Sequence, residues 1–295
     1  MQRHRRQRRV STPFFVSNSG LVVLFLIAFM LGGFYFASRS HSATAGSDSS
    51  VIATPTIGPP PAPTPTFAAL GSYDPGYVPI LMYHYIRTVD EASDPLGYRL
   101  SVDPATFAQQ MDWIATQGYT PMRMRDLADC LRSRMPCPMH PLAITFDDGY
   151  DNHATQALPI LQRYHFPATF YIVGNFVGQP NYMTWEDLAR LREAGMELGA
   201  HTMTHLDLAT LGLPDAQREI VDSRSALERQ LGIAVLSFSY PAGSYTPEVA
   251  TLVREAGFSN AVTTLSEHSF SLLYELPRRR IVGGEGMEAF RGYVP

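Results

Sequence analysis

The sequence predicts an α/β domain built on a parallel sheet, and three observations lead there. From about residue 78 onward, short apolar runs alternate with longer amphipathic stretches. Those stretches open on capping residues and close on glycine. The alternation continues over a body of about 218 residues, enough for about seven units of roughly 30 residues each. Alternating β and α units need crossover connections, and crossovers make neighbouring strands parallel. Seven units fall just short of a full eight-unit barrel, and an open doubly wound sheet fits the same alternation. Both architectures gather their chemistry at the carboxyl ends of the strands.

Taken in order, the first strand is expected over residues 79–85, a mostly apolar run ending in Tyr83, His84 and Tyr85. A helix over 104–117 starts with Asp103 as cap and Pro104 in its first turn, and stops at Gly118. A second helix is expected over 125–134. The run 142–146 is apolar throughout, as in a strand buried on both faces, and is followed by a helix over 153–164. Strand 168–173, helix 185–194 ending at Gly195, strand 197–200, and helix 215–230 ending at Gly232 continue the alternation. Strand 236–240, helix 247–256 with Thr246 as cap and Gly257 as stop, and strand 259–263 complete it.

Ahead of this body lies a different kind of sequence. Residues 1–18 form a basic tail, and the run 20–37 is uncharged and apolar on every face. At 1.5 Å per residue, 18 helical residues span about 27 Å, enough for a bilayer. The arginines at 3, 5, 6, 8 and 9 place the tail in the cytoplasm and everything after Arg39 outside. Residues 19–38 are therefore expected to be a transmembrane anchor, with the folded body on the cell surface. The alternative is a signal peptide cleaved near Ala43-Thr44-Ala45, which would secrete the body. Residues 39–77, rich in Ser, Thr and then Pro, read as an extended spacer, and 78–295 as the folded domain, its motif-bearing core at 140–295.

The net charge of −4 averages these unlike parts. Six of the 23 basic residues fall in 1–39, so 17 remain against 27 acidic residues and the rest of the chain carries −10. An acidic body argues against nucleic acid as a partner. Two cysteines, Cys130 and Cys137, cannot form a disulfide scaffold, and their spacing matches no common zinc site; export permits a bond between them, with two buried thiols as the alternative.

Chemistry collects at predicted strand ends. Strand 142–146 runs into Asp147-Asp148-Gly149-Tyr150. Two adjacent carboxylates beside a buried strand are costly unless a cation stands nearby, although a solvated turn would carry the same residues. Strand 197–200 runs into His201-Thr202-Met203-Thr204-His205, where two imidazoles four residues apart can face one ion. Together the clusters suit a divalent metal with open positions, as catalytic sites require. Two weaker features are Ser239-Tyr240-Pro241-Ala242-Gly243, a strand entering a turn, and His84 at the end of the first strand.

Thr145-Phe146-Asp147-Asp148-Gly149-Tyr150 and His201-Thr202-x-x-His205, about 55 residues apart, resemble the first two motifs of the polysaccharide deacetylases with a NodB-homology domain, carbohydrate esterase family 4. Pro79 through His84, Met183-Thr184-Trp185 and Leu276-Pro277-Arg278 are most similar to the subgroup acting on poly-N-acetylglucosamine. The resemblance implies a distorted (β/α)7 barrel of NodB-homology type. It implies a divalent metal, commonly zinc, held by Asp148, His201 and His205, with Asp147 as the general base acting on the attacking water. The implied substrate is an extracellular amino-sugar polymer: poly-N-acetylglucosamine, peptidoglycan or a chitin-like chain. Substrate contacts are expected from Tyr150, Tyr240, Pro241, Gly243 and Arg278. The family pattern also has an arginine and a further aromatic in its third motif, and a late Leu-x-x-His as proton donor. Here Ser239 stands at the arginine's position, and His268 does not match the late motif. The subgroup resemblance assigns the donor role to His84 instead, and Arg278 or Arg280 is the expected replacement for the arginine. A non-catalytic metal-containing sugar-binding module and an O-acetyl esterase are the alternative functions.

Overall fold

The computed structural model describes residues 78–264 and 273–294. The expected tail, anchor and spacer, and His268, lie outside these residues. Among the described residues no helix is long and apolar enough to cross a membrane.

The chain enters through β1 (Ile80–Tyr83), every residue of which is buried. A short strand β2 (Tyr85–Ile86) then pairs in parallel with β3 (Ser101–Val102), the two joined through α1 (Pro95–Leu100). Helix α2 (Pro104–Thr116) follows, with the Asp103 side chain capping the Ala105 amide as expected from the Asp-Pro start. Sequence pattern gives no sign of β4 (Thr120–Met122), which is too short and too interrupted by Pro121 to show a period. Helix α3 (Met124–Leu131) leads to the disulfide between Cys130 and Cys137, so the two cysteines are paired rather than free.

Strand β5 (Pro141–Phe146) is an interior strand of the sheet and is buried along its whole length. The helix expected after it starts as a wide turn, His153–Ala157, in which the Leu158 amide reaches back five residues to the His153 carbonyl. Pro159 follows at once and cannot donate a backbone bond, and the chain runs on without interruption into α4 (Leu158–Arg163). The remaining units are β6 (Thr169–Ile172), α5 (Trp185–Glu193), β7 (Glu197–Ala200), α6 (Leu213–Leu231), β8 (Ser237–Ser239), α7 (Pro247–Glu255), β9 (Asn260–Val262), β10 (Arg279–Arg280) and α8 (Met287–Tyr293).

The described strands of the main sheet all pair in parallel, in the order β10-β1-β5-β6-β7-β8-β9, and parallel pairing is what the alternation predicts. At its amino-terminal half β5 also pairs with β4, which sits below β6. The two ends of the sheet meet on one segment. Leu276 bonds to the backbone of Ala261 and Thr263 beside β9, and Arg279 and Arg280 then pair with β1. Phe146, Phe170, Phe238 and Tyr83 occupy the main core, while Cys130, Leu127, Met122 and Tyr171 belong to a second apolar cluster. The sheet curvature thus brings the carboxyl ends of β1, β5, β7, β8 and the approach to β10 to one place.

Candidate active site

Asp147 and Asp148 leave β5 through a turn in which Asp148 and Gly149 both have left-handed backbone, φ 75° and 81°. Glycine suits the second position, whereas Asp148 adopts it at some cost, a pattern that concentrates at functional sites. The strain sends the two carboxylates to different partners.

Asp147 faces Arg278. Guanidinium Nη1 donates to Oδ1 and Nη2 to Oδ2, each at 2.7 Å, and both residues are buried. The other three donors of Arg278 reach the Thr263 carbonyl at 3.1 Å, Thr145 Oγ1 at 3.1 Å and Ser239 Oγ at 3.0 Å. All five N–H directions therefore end on acceptors, the condition under which a buried guanidinium is tolerable. Burial pushes the Asp147 carboxyl up, but Arg278 overrides it and holds the group below the ordinary carboxylate range. Ser239 is small enough to leave the guanidinium its place, so an arginine arriving from the approach to β10 stands where the third motif offers none. Arg280 is exposed and makes no such pair.

Asp148 faces the histidines. Nε2 of His201 lies 3.4 Å and Nε2 of His205 3.3 Å from Oδ1 of Asp148. One donor atom from each of the three residues falls within 4.8 Å of the others. Oδ1 is buried and has no hydrogen-bond partner in the protein. The His201 ring donates from Nδ1 to the Ser239 carbonyl at 2.7 Å, which leaves the Nε2 lone pair directed at the cluster. An unpartnered buried oxygen, an imidazole in the metal-binding tautomer and a second imidazole make a donor set that fits a divalent cation.

The loop carrying the histidines is fixed by a residue not foreseen from sequence. Glu219, on α6, accepts from the amides of Met203 and Thr204, both at 2.9 Å, and from Thr204 Oγ1 at 2.8 Å. Thr202 and His205 have left-handed backbone there, φ 63° and 61°. On sequence alone Glu219 reads as an ordinary polar face of a helix.

His84 lies between β1 and β2. Burial lowers its pKa, while Asp147 and Asp148 act in the opposite direction. Tyr150 is stacked between Tyr85, at 3.6 Å between centroids, and Tyr182, at 5.2 Å. Its hydroxyl lies against Tyr85 and Asp148, so Tyr150 packs into the wall beside the carboxylate. Arg87 in turn lies over Tyr85. Tyr240 and Pro241, expected to contact substrate, both lie inside the protein. Tyr240 is fully buried with its hydroxyl donating to the Tyr274 carbonyl, and Pro241 is buried beside it. Gly243 is needed for packing: with φ 75°, a Cβ there would strike Thr264.

Residues 136–261 match the family model for polysaccharide deacetylase. The Bacillus subtilis protein YxkH is 28% identical over 231 residues, covering 78% of this chain and 80% of YxkH. A poly-beta-1,6-N-acetyl-D-glucosamine N-deacetylase of Escherichia coli K12 is 29% identical over 143 residues, 43% of this chain but 20% of that protein. A peptidoglycan-N-acetylglucosamine deacetylase of Bacillus cereus is 31% identical over 122 residues, 41% of this chain and 55% of its own. Among solved structures, Streptococcus pyogenes deacetylase PplD in complex with acetate superposes with a TM-score of 0.69 at 25% identity, covering 74% of this chain and 98% of PplD. The polysaccharide deacetylase BC0361 from Bacillus cereus gives 0.65 at 26% identity, covering 74% and 69%. Motifs, fold and relatives agree, and the chain carries a polysaccharide deacetylase domain of the NodB-homology type.

Proposed function

We propose that this chain hydrolyses N-acetyl groups on an extracellular amino-sugar polymer, with a divalent metal, zinc by preference, held by Asp148, His201 and His205. The observation that carries the reading is the separation of the two adjacent carboxylates, one paired with arginine and one turned to two imidazoles. When bound, the metal would polarise the acetamide carbonyl and lower the pKa of water. Asp147, kept ionised by Arg278, accepts the proton of the attacking water as its oxygen bonds to the carbonyl carbon. Each Asp147 oxygen retains a lone pair beyond its bond to Arg278. As the carbon–nitrogen bond breaks, the nitrogen takes a proton from His84, because an amide anion is a poor leaving group. Acetate and a free amine result; Asp147 then releases its proton to solvent and His84 regains one from it.

Relatives named for poly-N-acetylglucosamine, peptidoglycan and chitooligosaccharide all act on N-acetylated amino sugars, which supports that substrate class. Arg87, beyond the tyrosine stack, also borders a cavity of about 370 Å³ with Thr88, Asp103, Thr106 and Gln109, room for a neighbouring unit of a chain. The anchored, extracellular location rests on residues 1–39 and the Cys130–Cys137 disulfide, which belongs to an oxidising compartment. Acetate release from N-acetylglucosamine oligomers, with and without a chelator, tests the reading. Release that stops on chelation and returns with zinc is expected. Release only from O-acetylated sugars would make the protein an esterase, and sugar binding without release a binding module.

A further inference from the structure

We infer that Asn152 and His153 are positioning residues that set where His84 stands relative to the two carboxylates. The inference rests on the reading of His84 as proton donor and adds to it the groups that hold that donor in place. His84 sits in a connection between two short strands, and its own Nδ1 is buried without a partner in the protein. Nδ1 therefore does nothing to locate the ring, and the backbone at residue 84 sets where the side chain starts.

That backbone is tied on both sides to the segment that begins at the carboxylates. The Asp147 amide donates to the Tyr83 carbonyl at 3.0 Å. His153 Nε2 bonds to the carbonyl of His84 itself. The Ile86 amide donates to Asn152 Oδ1 at 2.7 Å. Residues 83, 84 and 86 are thus each held by a group from 147–153. A carbonyl partner requires the proton of His153 on Nε2, which leaves Nδ1 as the bare nitrogen, and Nδ1 is the atom found buried and unpartnered.

An imidazole is an expensive residue for this place if filling space were its task. His153 is fully buried, its ring among Phe146, Phe170 and Tyr150 at centroid distances of 5.2, 5.7 and 5.8 Å. Burial drives its pKa down to about 4, so it is neutral at physiological pH. Phenylalanine would fill the same aromatic pocket without an unpaired nitrogen. What phenylalanine lacks is the bond to His84. His153 also opens the wide turn of the helix, a feature that recurs at functional sites.

The test compares two substrates that differ in their need for a proton donor: an N-acetylglucosamine oligomer, and an aryl acetate whose leaving group departs as a stable anion. His153→Phe is expected to lower kcat on the oligomer by about 10- to 100-fold, the scale of a donor displaced by an ångström, with little change in KM. Aryl acetate hydrolysis should change by less than about 3-fold, since it bypasses the donor. His153→Gln, which can place an N–H near the position of Nε2, should recover most of the loss. In a His84→Ala background, His153→Phe should cost nothing further, because both act through one group. Equal loss on both substrates, no recovery with Gln, or multiplying losses in the double variant would overturn the inference. If His84→Ala collapses oligomer turnover while His153→Phe leaves it intact, positioning by His153 fails alone. If His84→Ala leaves oligomer turnover intact, the reading of His84 fails first. Should His153→Phe not fold, Asn152→Leu removes the acceptor of the Ile86 amide without disturbing the aromatic pocket. Loss on the oligomer alone is then expected, and equal loss on both substrates, or no loss on either, would overturn the inference.

Discussion

Two buried carboxylates at opposite ends of the same sheet are held in opposite ways. Asp147, past the carboxyl end of β5, is matched by the guanidinium of Arg278 and kept below the ordinary carboxylate range. Glu197, at the start of β7, is equally buried but meets neutral donors: Ser237 Oγ at 2.7 Å, Thr169 Oγ1 at 2.8 Å and the Arg125 amide at 3.1 Å. Burial dominates there and raises its pKa, the three donors only moderating the rise. Burial alone therefore does not mark a functional carboxylate. A formal opposite charge keeps one ionised and able to accept a proton, whereas hydroxyls and an amide make the other a clamp between β6, β7, β8 and α3. A single strand shows the division of labour: β7 starts on the clamp and leads directly into His201.

The contrast between the two carboxylates breaks most severely at the carboxyl end. Arg278→Leu leaves Asp147 buried and unpaired, and loss of about 3–5 kcal/mol of stability is expected, together with loss of turnover. Chemical denaturation of the variant measures the first, and unchanged stability would mean that solvent already reaches this carboxylate. Arg125 offers a smaller vulnerability at the other end, because it serves Glu197 mainly through its backbone amide and only weakly through its charge.

The smaller effect lies with Glu197. Its folded pKa is raised above the ordinary 4.5, so any stability it adds is present below that value and is lost as pH rises through the folded pKa. Glu197→Gln, which never ionises, should therefore gain on the wild type as pH rises from 4 toward 8, by about 1 kcal/mol or less, with deacetylation unchanged. Asp147 carries the opposite sign: its contribution is present above its ordinary 3.8 and is lost as pH falls. A fall in the relative stability of Glu197→Gln with rising pH would show that Glu197 is ionised in the fold.

What can be read from the sequence follows from range. Asp147, Asp148, His201 and His205 stand in two short runs directly after apolar strands, so local pattern and strand polarity place them together. The strands and larger helices are legible within a few residues, since their burial is periodic or continuous along the chain. The features that escape sequence reasoning are all non-local or lack a period. Thr-Pro-Met in β4 is too short to signal a strand. Glu219 reaches the histidine loop from across α6. Arg278 meets Asp147 over a separation of 131 residues, which spacing cannot reveal, so in sequence it stands level with Arg280. Tyr240 is placed against substrate by family resemblance alone, and spacing gives no sign that the Tyr274 carbonyl accepts from its hydroxyl inside the core.

Which carboxylate accepts the proton and which holds the metal is tested directly by Asp147→Asn. Metal content and acetate release from N-acetylglucosamine oligomers are measured on the same purified samples of variant and wild type. The expected result is undiminished metal with turnover lowered by about 10³-fold, because the proton acceptor is gone while Asp148, His201 and His205 remain. Loss of the metal with this substitution, or turnover that survives it, would contradict the assignment.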